Sequence, residues 1–123
     1  MSFAQSILCI DDDPINNEVV TDFLEDQYDV VCVSNGQEGL DSIAAQQPDL
    51  ILLDVLMPVM SGEETIKQLR ASSTSTKDIP VIVISVLSHT TEINHMYELG
   101  ADQYITKPFR QKELKEVIAA LVG

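Results

Sequence analysis

Four short apolar runs along the chain alternate with segments that have helical spacing. The runs cover residues 7–10, 30–33, 50–53 and 81–84, and a weaker fifth follows at residues 103–106. They are continuous rather than alternating and rich in Val, Ile and Leu, which is typical of parallel strands buried on both faces. We therefore expect a five-stranded parallel sheet that is covered by helices on each side.

The first predicted helix follows the first run. Ile15, Val19 and Phe23 lie at helical spacing and predict its buried face. Asp13 has the side chain of a helix N-cap, and Pro14 suits the first helical position, where an N–H would have no partner. We expect this helix to begin at Pro14.

Four more helices are predicted by the same spacing. The second spans about residues 37–47; Asn35 and Glu38 have the spacing of a capping box before it, and Pro48 ends it. The apolar residues that mark the other three helices are Ile66 and Leu69; Ile93, Met96 and Tyr97; and Leu114, Val117, Ile118 and Leu121. Gly100 can end the fourth helix, and residues 71–77 predict a polar loop. Strand and helix thus alternate five times, which predicts a single α/β domain over residues 1–123.

Composition narrows the class of protein. The chain has 123 residues, 45% of them hydrophobic and 22% charged, which fits one folded core and excludes intrinsic disorder. No apolar run approaches the ~20 residues that span a bilayer, and residues 1–6 do not resemble a signal peptide. Cys9 and Cys32 each sit in an apolar run, so we expect buried free thiols in a reducing cytoplasm.

Charge is distributed unevenly along the chain. The net charge is −13, which disfavours direct binding to nucleic acid or anionic lipid. Residues 1–66 contain fourteen of the twenty acidic residues and no Lys or Arg, whereas residues 67–123 contain all seven basic residues. Some of the acidic residues are therefore expected to gather around a cation.

Polar side chains follow the predicted strands where each strand ends. Asp11 and Asp12 follow the first strand, Asp54 the third, Ser85 the fourth and Lys107 the fifth. Ligands of an open α/β sheet bind at the carboxyl ends of its strands. We therefore expect these side chains to form one site.

Clustered carboxylates raise one another's pKa unless a cation joins them, and Mg²⁺ binds through carboxylates, waters and phosphate oxygens. With such an ion present, Asp54 can stay ionised and act as a nucleophile toward phosphorus, giving an aspartyl phosphate. The Lys107 ammonium and the Ser85 hydroxyl can then neutralise phosphoryl oxygens. The residues thus predict Mg²⁺-dependent phosphoryl transfer.

Four segments resemble those of a known family. Ile-Leu-Cys-Ile-Asp-Asp-Asp-Pro at 7–14, Leu-Leu-Asp-Val-Leu-Met-Pro-Val-Met-Ser-Gly at 52–62, Val-Ile-Val-Ile-Ser at 81–85 and Tyr-Ile-Thr-Lys-Pro-Phe at 104–109 resemble the receiver (REC) domain of two-component response regulators, such as the chemotaxis regulators. The resemblance implies a flavodoxin-like (βα)5 three-layer sandwich with strand order 2-1-3-4-5. It also implies a phosphorylation-dependent switch in a phosphorelay, located in the cytoplasm.

The resemblance also implies a ligand set. Asp12, Asp54 and the Leu56 carbonyl would bind Mg²⁺ directly, and Asp11 through a water molecule. Asp54 would accept the phosphoryl group from a sensor histidine kinase or a histidine phosphotransfer protein.

Three further residues receive roles from the same resemblance. Ser85 and Lys107 would contact the phosphoryl oxygens, Tyr104 would be the aromatic switch, and the Lys107–Pro108 bond would be cis. The output surface would consist of the fourth helix, the fifth strand and the fifth helix. That surface would control a downstream protein or a tethered effector domain, with a phosphorylation-dependent dimer as a further expectation.

Three positions modify this expectation. Val86 follows Ser85 where the family usually has a small residue, so access to Asp54 could be narrowed. Leu56 and Leu87 occupy the variable positions beside the phosphoryl site, and neither can hydrogen-bond to an attacking water. We therefore expect a slowly hydrolysing phosphoryl group.

Two other functions are compatible with parts of the pattern. The Asp11-x-Asp13 spacing also occurs in haloacid-dehalogenase-type phosphatases, although Pro14 and Ile15 replace the Gly-Thr pair that usually follows. That alternative gives Asp54 no role. A phosphorylation-independent adaptor on the same fold is the second alternative. The expectation we adopt is a receiver that is not an enzyme beyond catalysing its own phosphorylation and dephosphorylation.

Overall fold

The computed structural model describes residues 5–122 of the chain. Residues 1–4, which form most of the segment where no signal peptide is expected, and residue 123 lie outside the described residues. The strands are β1 (Ser6–Ile10), β2 (Asp29–Val33), β3 (Leu50–Leu53), β4 (Val81–Ser85) and β5 (Gln103–Thr106). The helices are α1 (Pro14–Leu24), α2 (Gly36–Ala45), α3 (Gly62–Arg70), α4 (Thr90–Glu98) and α5 (Gln111–Val122), with a short 3₁₀ helix at Ser75–Asp78.

All strand pairs are parallel, and the sheet order is β2-β1-β3-β4-β5. This confirms the flavodoxin-like three-layer fold. One core layer joins the sheet to α1 and α5, through residues such as Leu24 and Leu114; the other joins it to α2, α3 and α4, through residues such as Ile66 and Met96. In the described part of the chain, no helix has the length and apolar character needed to cross a membrane.

Strand β2 differs from the expectation of burial on both faces. It lies at the edge of the sheet, paired with β1 alone among the strands of residues 5–122, and Val31 is 53% exposed. Cys32, on the same strand, is half-buried, whereas Cys9 on β1 is buried as predicted. The prediction of full burial was therefore wrong for β2 and Cys32, because an edge strand lacks a second neighbour.

Helix α1 begins where predicted, but its fully buried residues are not the predicted ones. The Ile15 N–H donates to the Asp13 carboxylate at 2.9 Å, which confirms the N-cap before Pro14. Ile15 itself is 69% exposed, and Val20 and Leu24 are the buried residues of this helix. The prediction was therefore wrong for Ile15, which lies in the first turn of the helix, whereas Val19 and Phe23 are partly buried and Phe23 packs against the core.

The remaining local signals are largely confirmed. The Glu38 N–H donates to the Asn35 side chain at 2.9 Å, and Gly100 has a φ of +114° after α4. Helix α2 ends at Ala45, earlier than predicted, because Gln46 already has extended backbone angles. The predicted polar loop over residues 71–77 connects α3 to β4 and contains the start of the 3₁₀ helix at Ser75–Asp78.

Arg70 ties together the amino ends of the strands. Its side chain is 20% exposed and contacts Asp102, just before β5, at 3.1 Å. It also donates to three backbone carbonyls, those of Lys77, Ile79 and Gly100, at 2.7–3.1 Å. The Asp102 carboxylate accepts the Val81 N–H at 2.8 Å as well. This edge of the sheet is therefore closed by an ion pair whose groups are hydrogen-bonded.

Candidate functional site

Three carboxylates converge at the carboxyl ends of the strands, opposite the end where Arg70 lies. Asp11 and Asp12 follow β1 and Asp54 follows β3, and one oxygen of each lies within 4.8 Å of the others. Asp11 is 5% exposed and Asp54 is 7% exposed, whereas Asp12 is exposed to solvent. The strand-end argument thus predicted that these three acids lie close together, and they do.

Lys107 reaches this cluster from the end of β5. Its ammonium lies 2.9 Å from an Asp11 oxygen and 3.6 Å from an Asp54 oxygen, with the lysine side chain 12% exposed. The Lys107–Pro108 bond that follows is cis, as the resemblance implied. One buried cation therefore serves two buried carboxylates.

The three carboxylates carry more negative charge than the single Lys107 ammonium balances. Burial raises the pKa of Asp54 to about 6; Lys107 opposes this shift and Asp11 adds to it. Burial lowers the pKa of Lys107, but the hydrogen bond to Asp11 and the Asp54 charge outweigh it, so the net direction is upward. The all-oxygen donor set and its excess of negative charge fit a hard divalent cation such as Mg²⁺.

The backbone fixes the position of Asp54. Its N–H donates to the Ile10 carbonyl at 3.0 Å, and the Leu56 N–H approaches its carboxylate at 3.4 Å. The first residue of α3, Gly62, packs directly over this segment: a Cβ there would lie 2.3 Å from the Asp54 carbonyl oxygen. Only glycine allows α3 to start so close to Asp54.

A hydrogen-bonded path leads from the site toward the surface. Ser85 is fully buried, and its hydroxyl accepts the Leu87 N–H at 3.2 Å. The Leu87 carbonyl accepts the Tyr104 hydroxyl at 2.6 Å. Burial raises the pKa of Tyr104, which keeps its hydroxyl a donor. Leu87, in the loop between β4 and α4, is therefore hydrogen-bonded to two residues that the sequence singled out, Ser85 and Tyr104.

Asn17 belongs to the surroundings of the site, although the sequence reading missed it. Its side-chain amide donates to the Asp11 carbonyl at 2.9 Å. It precedes the buried Val20 by three positions and Leu24 by seven, so it lies on the buried face of α1. A polar residue at that spacing was the signal that could have identified it.

Exposed apolar side chains surround the acidic cluster. Ile15, Leu56, Val59 and Val86 lie in the loops or the helix start at this edge of the sheet, and they are 69%, 53%, 86% and 60% exposed. We call these four residues the apolar rim. Val59 also has a φ of +70°, which is uncommon for a β-branched residue.

Comparison with known proteins agrees with this geometry. The sequence pattern of the family described as "Response regulator receiver domain" matches residues 7–119. The chain is 40% identical over 116 residues to the transcriptional regulatory protein CiaR of Streptococcus pneumoniae, covering 94% of this chain and 50% of that protein. It is 36% identical over 115 residues to the probable C4-dicarboxylate response regulator DctR of Bacillus subtilis, covering 91% of this chain and 50% of DctR. The chain therefore spans about half the length of these curated relatives.

Solved structures show the same fold. The chemotaxis protein CheY4 of Vibrio cholerae superposes with a TM-score of 0.89 at 27% identity, covering 95% of this chain and 98% of that one. The receiver domain of the sensor histidine kinase PA1611 of Pseudomonas aeruginosa, solved with a magnesium ion in its active-site cleft, has a TM-score of 0.89 at 28% identity, with 97% and 98% coverage. This chain belongs to the response regulator receiver domain family, whose members take part in phosphorylation-dependent signalling.

Proposed function

We propose that the chain is a Mg²⁺-dependent switch in which Asp54 accepts a phosphoryl group from a histidine of a sensor kinase or a phosphotransfer protein. The observation that carries the proposal is a buried Asp54 carboxylate, with its pKa raised to about 6, beside Asp11, Asp12 and the Lys107 ammonium. Such a cluster needs a further cation to keep Asp54 ionised at neutral pH.

Some residues would bind magnesium directly and one would bind it through a water molecule. Asp12, Asp54 and the Leu56 carbonyl would hold the ion directly, and Asp11 would reach it through a water. Asp11 already contacts Lys107 at 2.9 Å, so its carboxylate is held in place by a second cation. When bound, Mg²⁺ supplies neutralisation of carboxylate and phosphoryl oxygens.

Asp54 then acts as the nucleophile. One of its oxygens forms a bond to phosphorus while the bond from phosphorus to the donor's imidazole nitrogen breaks, and that nitrogen leaves with the electron pair. Lys107 contacts one phosphoryl oxygen and the Ser85 hydroxyl another, so each balances charge that the transferred group brings. The proposed catalysis is limited to the phosphorylation and dephosphorylation of Asp54 itself.

The path from Ser85 to Tyr104 supports the switching step. A Ser85 hydroxyl that turns toward a phosphoryl oxygen gives up the Leu87 N–H that it now accepts. Leu87 carries the carbonyl to which Tyr104 donates, so the loop and the tyrosine rearrange together. The α4–β5–α5 surface would then change its affinity for a downstream protein, a tethered effector domain or a second copy of the chain.

The apolar rim supports a protein as phosphodonor. A small-molecule substrate does not need four exposed apolar side chains around an acidic cluster, whereas a docking protein buries them favourably. Val86 also borders a surface cleft of about 400 Å³ beside Lys107. This arrangement favours a protein donor. The proposal also includes a cytoplasmic location and a single receiver domain over residues 1–123.

Direct binding of nucleic acid is not part of the proposal. The net charge of −13 opposes it. Some relatives are named DNA-binding response regulators, such as MtrA of Mycobacterium leprae, but the similarity covers only 48% of that protein. A DNA-binding output would therefore require a region outside this similarity.

Intact-mass analysis tests the proposed function. The chain is incubated with Mg²⁺ and acetyl phosphate as a small phosphodonor, and wild type is compared with Asp54→Asn and Asp49→Asn. Asp49 is a matched control, because it precedes β3 while Asp54 follows it. Wild type and Asp49→Asn should gain one phosphoryl mass, but not when EDTA is present from the start, and Asp54→Asn should gain none.

The mass analysis and two further assays, of phosphate-ester turnover and of partner binding, separate the alternatives. Equal phosphorylation of Asp54→Asn and wild type would overturn the proposal. Release of many phosphates per chain from phosphate esters would favour a phosphatase. Unchanged binding of a downstream partner by Asp54→Asn and by the phosphorylated chain would favour a phosphorylation-independent adaptor.

A further inference from the structure

The two cysteines of the chain lie side by side on neighbouring strands. Cys9 on β1 and Cys32 on β2 are partners in the parallel register. Both belong to the core layer that packs against α1 and α5, so their side chains leave the same face of the sheet. Both are free thiols. They therefore form a pair rather than two unrelated buried residues.

Helix α1 brings one residue against both thiols. The Cys9 thiol donates to the Asn17 side-chain oxygen at 3.3 Å, and the Cys32 thiol donates to the Asn17 backbone carbonyl at 3.7 Å. The Thr21 hydroxyl lies 3.4 Å from the Cys32 sulfur. These contacts hold the two thiols under the same turn of α1.

The geometry of the pair suits a disulfide. Neighbouring strands lie about 4.7–4.9 Å apart, and disulfides join residues whose Cα atoms are about 4.4–6.8 Å apart. We propose that Cys9 and Cys32 form an oxidation site for peroxides that closes to an intramolecular disulfide beneath the acidic cluster.

The two cysteines have different accessibility, which sets the order of the reaction. Cys9 is 3% exposed, whereas Cys32 is half-buried on the edge strand. The Cys32 thiolate attacks one peroxide oxygen, the O–O bond breaks, and Cys32 becomes a sulfenic acid while the peroxide is reduced to water or an alcohol. Cys9 then attacks the Cys32 sulfur, the S–O bond breaks, and water leaves as the disulfide forms. Interaction with Cys9 lowers the pKa of Cys32 to about 6, while the same interaction and burial raise the pKa of Cys9, so Cys32 is the thiol that ionises first.

Asn17 connects the pair to the acidic cluster. Its side chain accepts from Cys9 and donates to the Asp11 carbonyl at 2.9 Å. A disulfide removes both S–H donors that Asn17 accepts, so the contact between α1 and Asp11 has to readjust. This coupling rests on the magnesium site of the proposed function, whereas disulfide formation does not.

The experiment treats reduced wild-type protein with hydrogen peroxide in the absence of metal. We expect a monomer that has lost two hydrogens, has no thiol that iodoacetamide can alkylate after unfolding, and recovers both thiols with dithiothreitol. Residues 1–66 contain no Lys or Arg, so trypsin leaves both cysteines in one peptide; cleavage before aspartate separates them and identifies the linked pair.

Single variants report the order of the steps. Cys9→Ala should leave a sulfenic acid on Cys32 that dimedone traps, whereas Cys32→Ala should leave Cys9 unmodified. Circular dichroism shows whether each variant is folded, and the linked wild-type peptide remains informative if one is not. Two thiols that still alkylate after peroxide treatment, or a disulfide only between two chains, would overturn the proposal.

Magnesium titration tests the coupling separately. Oxidised wild type should bind Mg²⁺ with an affinity changed several-fold from the reduced form, and peroxide-treated Cys32→Ala should not change. Equal affinities of the two wild-type forms would overturn the coupling while the linked peptide stands. If neither form bound Mg²⁺, the proposed function would fail instead.

Discussion

The two edges of the sheet both carry aspartates beside a basic residue, but they satisfy their charges to different degrees. At the amino edge, Arg70 and Asp102 pair at 3.1 Å, and backbone groups complete their hydrogen bonds. At the carboxyl edge, Asp11, Asp12 and Asp54 share Lys107, and the pKa of Asp54 is raised to about 6 by burial. The comparison teaches that an ion pair with complete partners stabilises the fold, whereas an incomplete cluster is available for a ligand.

The largest expected effect on stability comes from removing the Arg70–Asp102 ion pair at the amino edge. Arg70→Ala removes donors from three backbone carbonyls and leaves the Asp102 carboxylate without its cation, so it should cost about 2–4 kcal/mol of unfolding free energy. Urea unfolding measures it. The exposed Arg110→Ala is the control, with a change within about 0.5 kcal/mol. Equal losses for the two variants would contradict the role given to Arg70.

A mutation at the other edge should have the opposite sign. The folded-state pKa of Asp54 is about 6 against an ordinary 3.8, so the folded chain binds more protons and wild-type stability falls as pH rises from about 4 to 6. Without Mg²⁺, Asp54→Asn should therefore be more stable than wild type by about 1–2 kcal/mol at pH 7, after allowance for solvent screening.

The pH dependence of unfolding checks this sign. The difference in unfolding free energy between Asp54→Asn and wild type should shrink toward zero near about pH 4. Asp49→Asn is the matched control and should lose stability instead, because the Asp49 carboxylate accepts the Ser6 N–H at 2.7 Å. If Asp54→Asn were less stable than wild type at neutral pH, the ionised Asp54 carboxylate would be stabilised by its protein neighbours even without metal.

The lifetime of the phosphoryl group is the next test of the carboxyl edge. Leu56 is 53% exposed and cannot hydrogen-bond to an attacking water. Leu56→Asn supplies an amide that can hydrogen-bond to an attacking water. The phosphoryl group should therefore hydrolyse about fivefold faster, which corresponds to an activation free energy lower by about 1 kcal/mol. The decay of the phosphorylated mass measures this, with Leu56→Met as the apolar control. A wild-type lifetime of seconds would contradict the expected slow hydrolysis.

The smallest effect concerns backbone strain at the apolar rim. Val59 has a φ of +70° and is 86% exposed, so its side chain adds strain without packing. Asn adopts this conformation more readily, and Val59→Asn should stabilise the chain by about 0.5–1 kcal/mol in thermal unfolding. Val86→Asn, also at the rim but without a positive φ, should change stability little. A stabilisation of the same size in both variants would rule out strain as the cause.

Much of the fold and of the site could be predicted because the polar residues of the site directly follow the hydrophobic runs that form the strands. Asp11 and Asp54 each follow a buried strand, Lys107 follows the partly exposed β5, and parallel strands bring their ends together. Sequence periodicity predicted Leu114 and Ile118 as buried positions of α5, and both are buried.

Other features depend on packing that no local pattern specifies. Ile15 has the residue type of a core position but lies beyond the sheet edge, while Asn17 is polar and lies inside because its amide has partners there. Val30 to Val33 predict a strand, yet nothing in that segment shows that it lies at an edge. The distances from Lys107 to its two carboxylates likewise depend on three loops at once.

The bond between Tyr104 and Leu87 also makes the chain convenient to observe. The sequence has three tyrosines and no tryptophan, so tyrosine phenols dominate its near-ultraviolet emission. One of those phenols donates its hydroxyl proton to the loop that begins at Ser85. Rearrangement of that loop therefore alters the surroundings of an intrinsic fluorophore, and the protein can be followed optically without an attached dye.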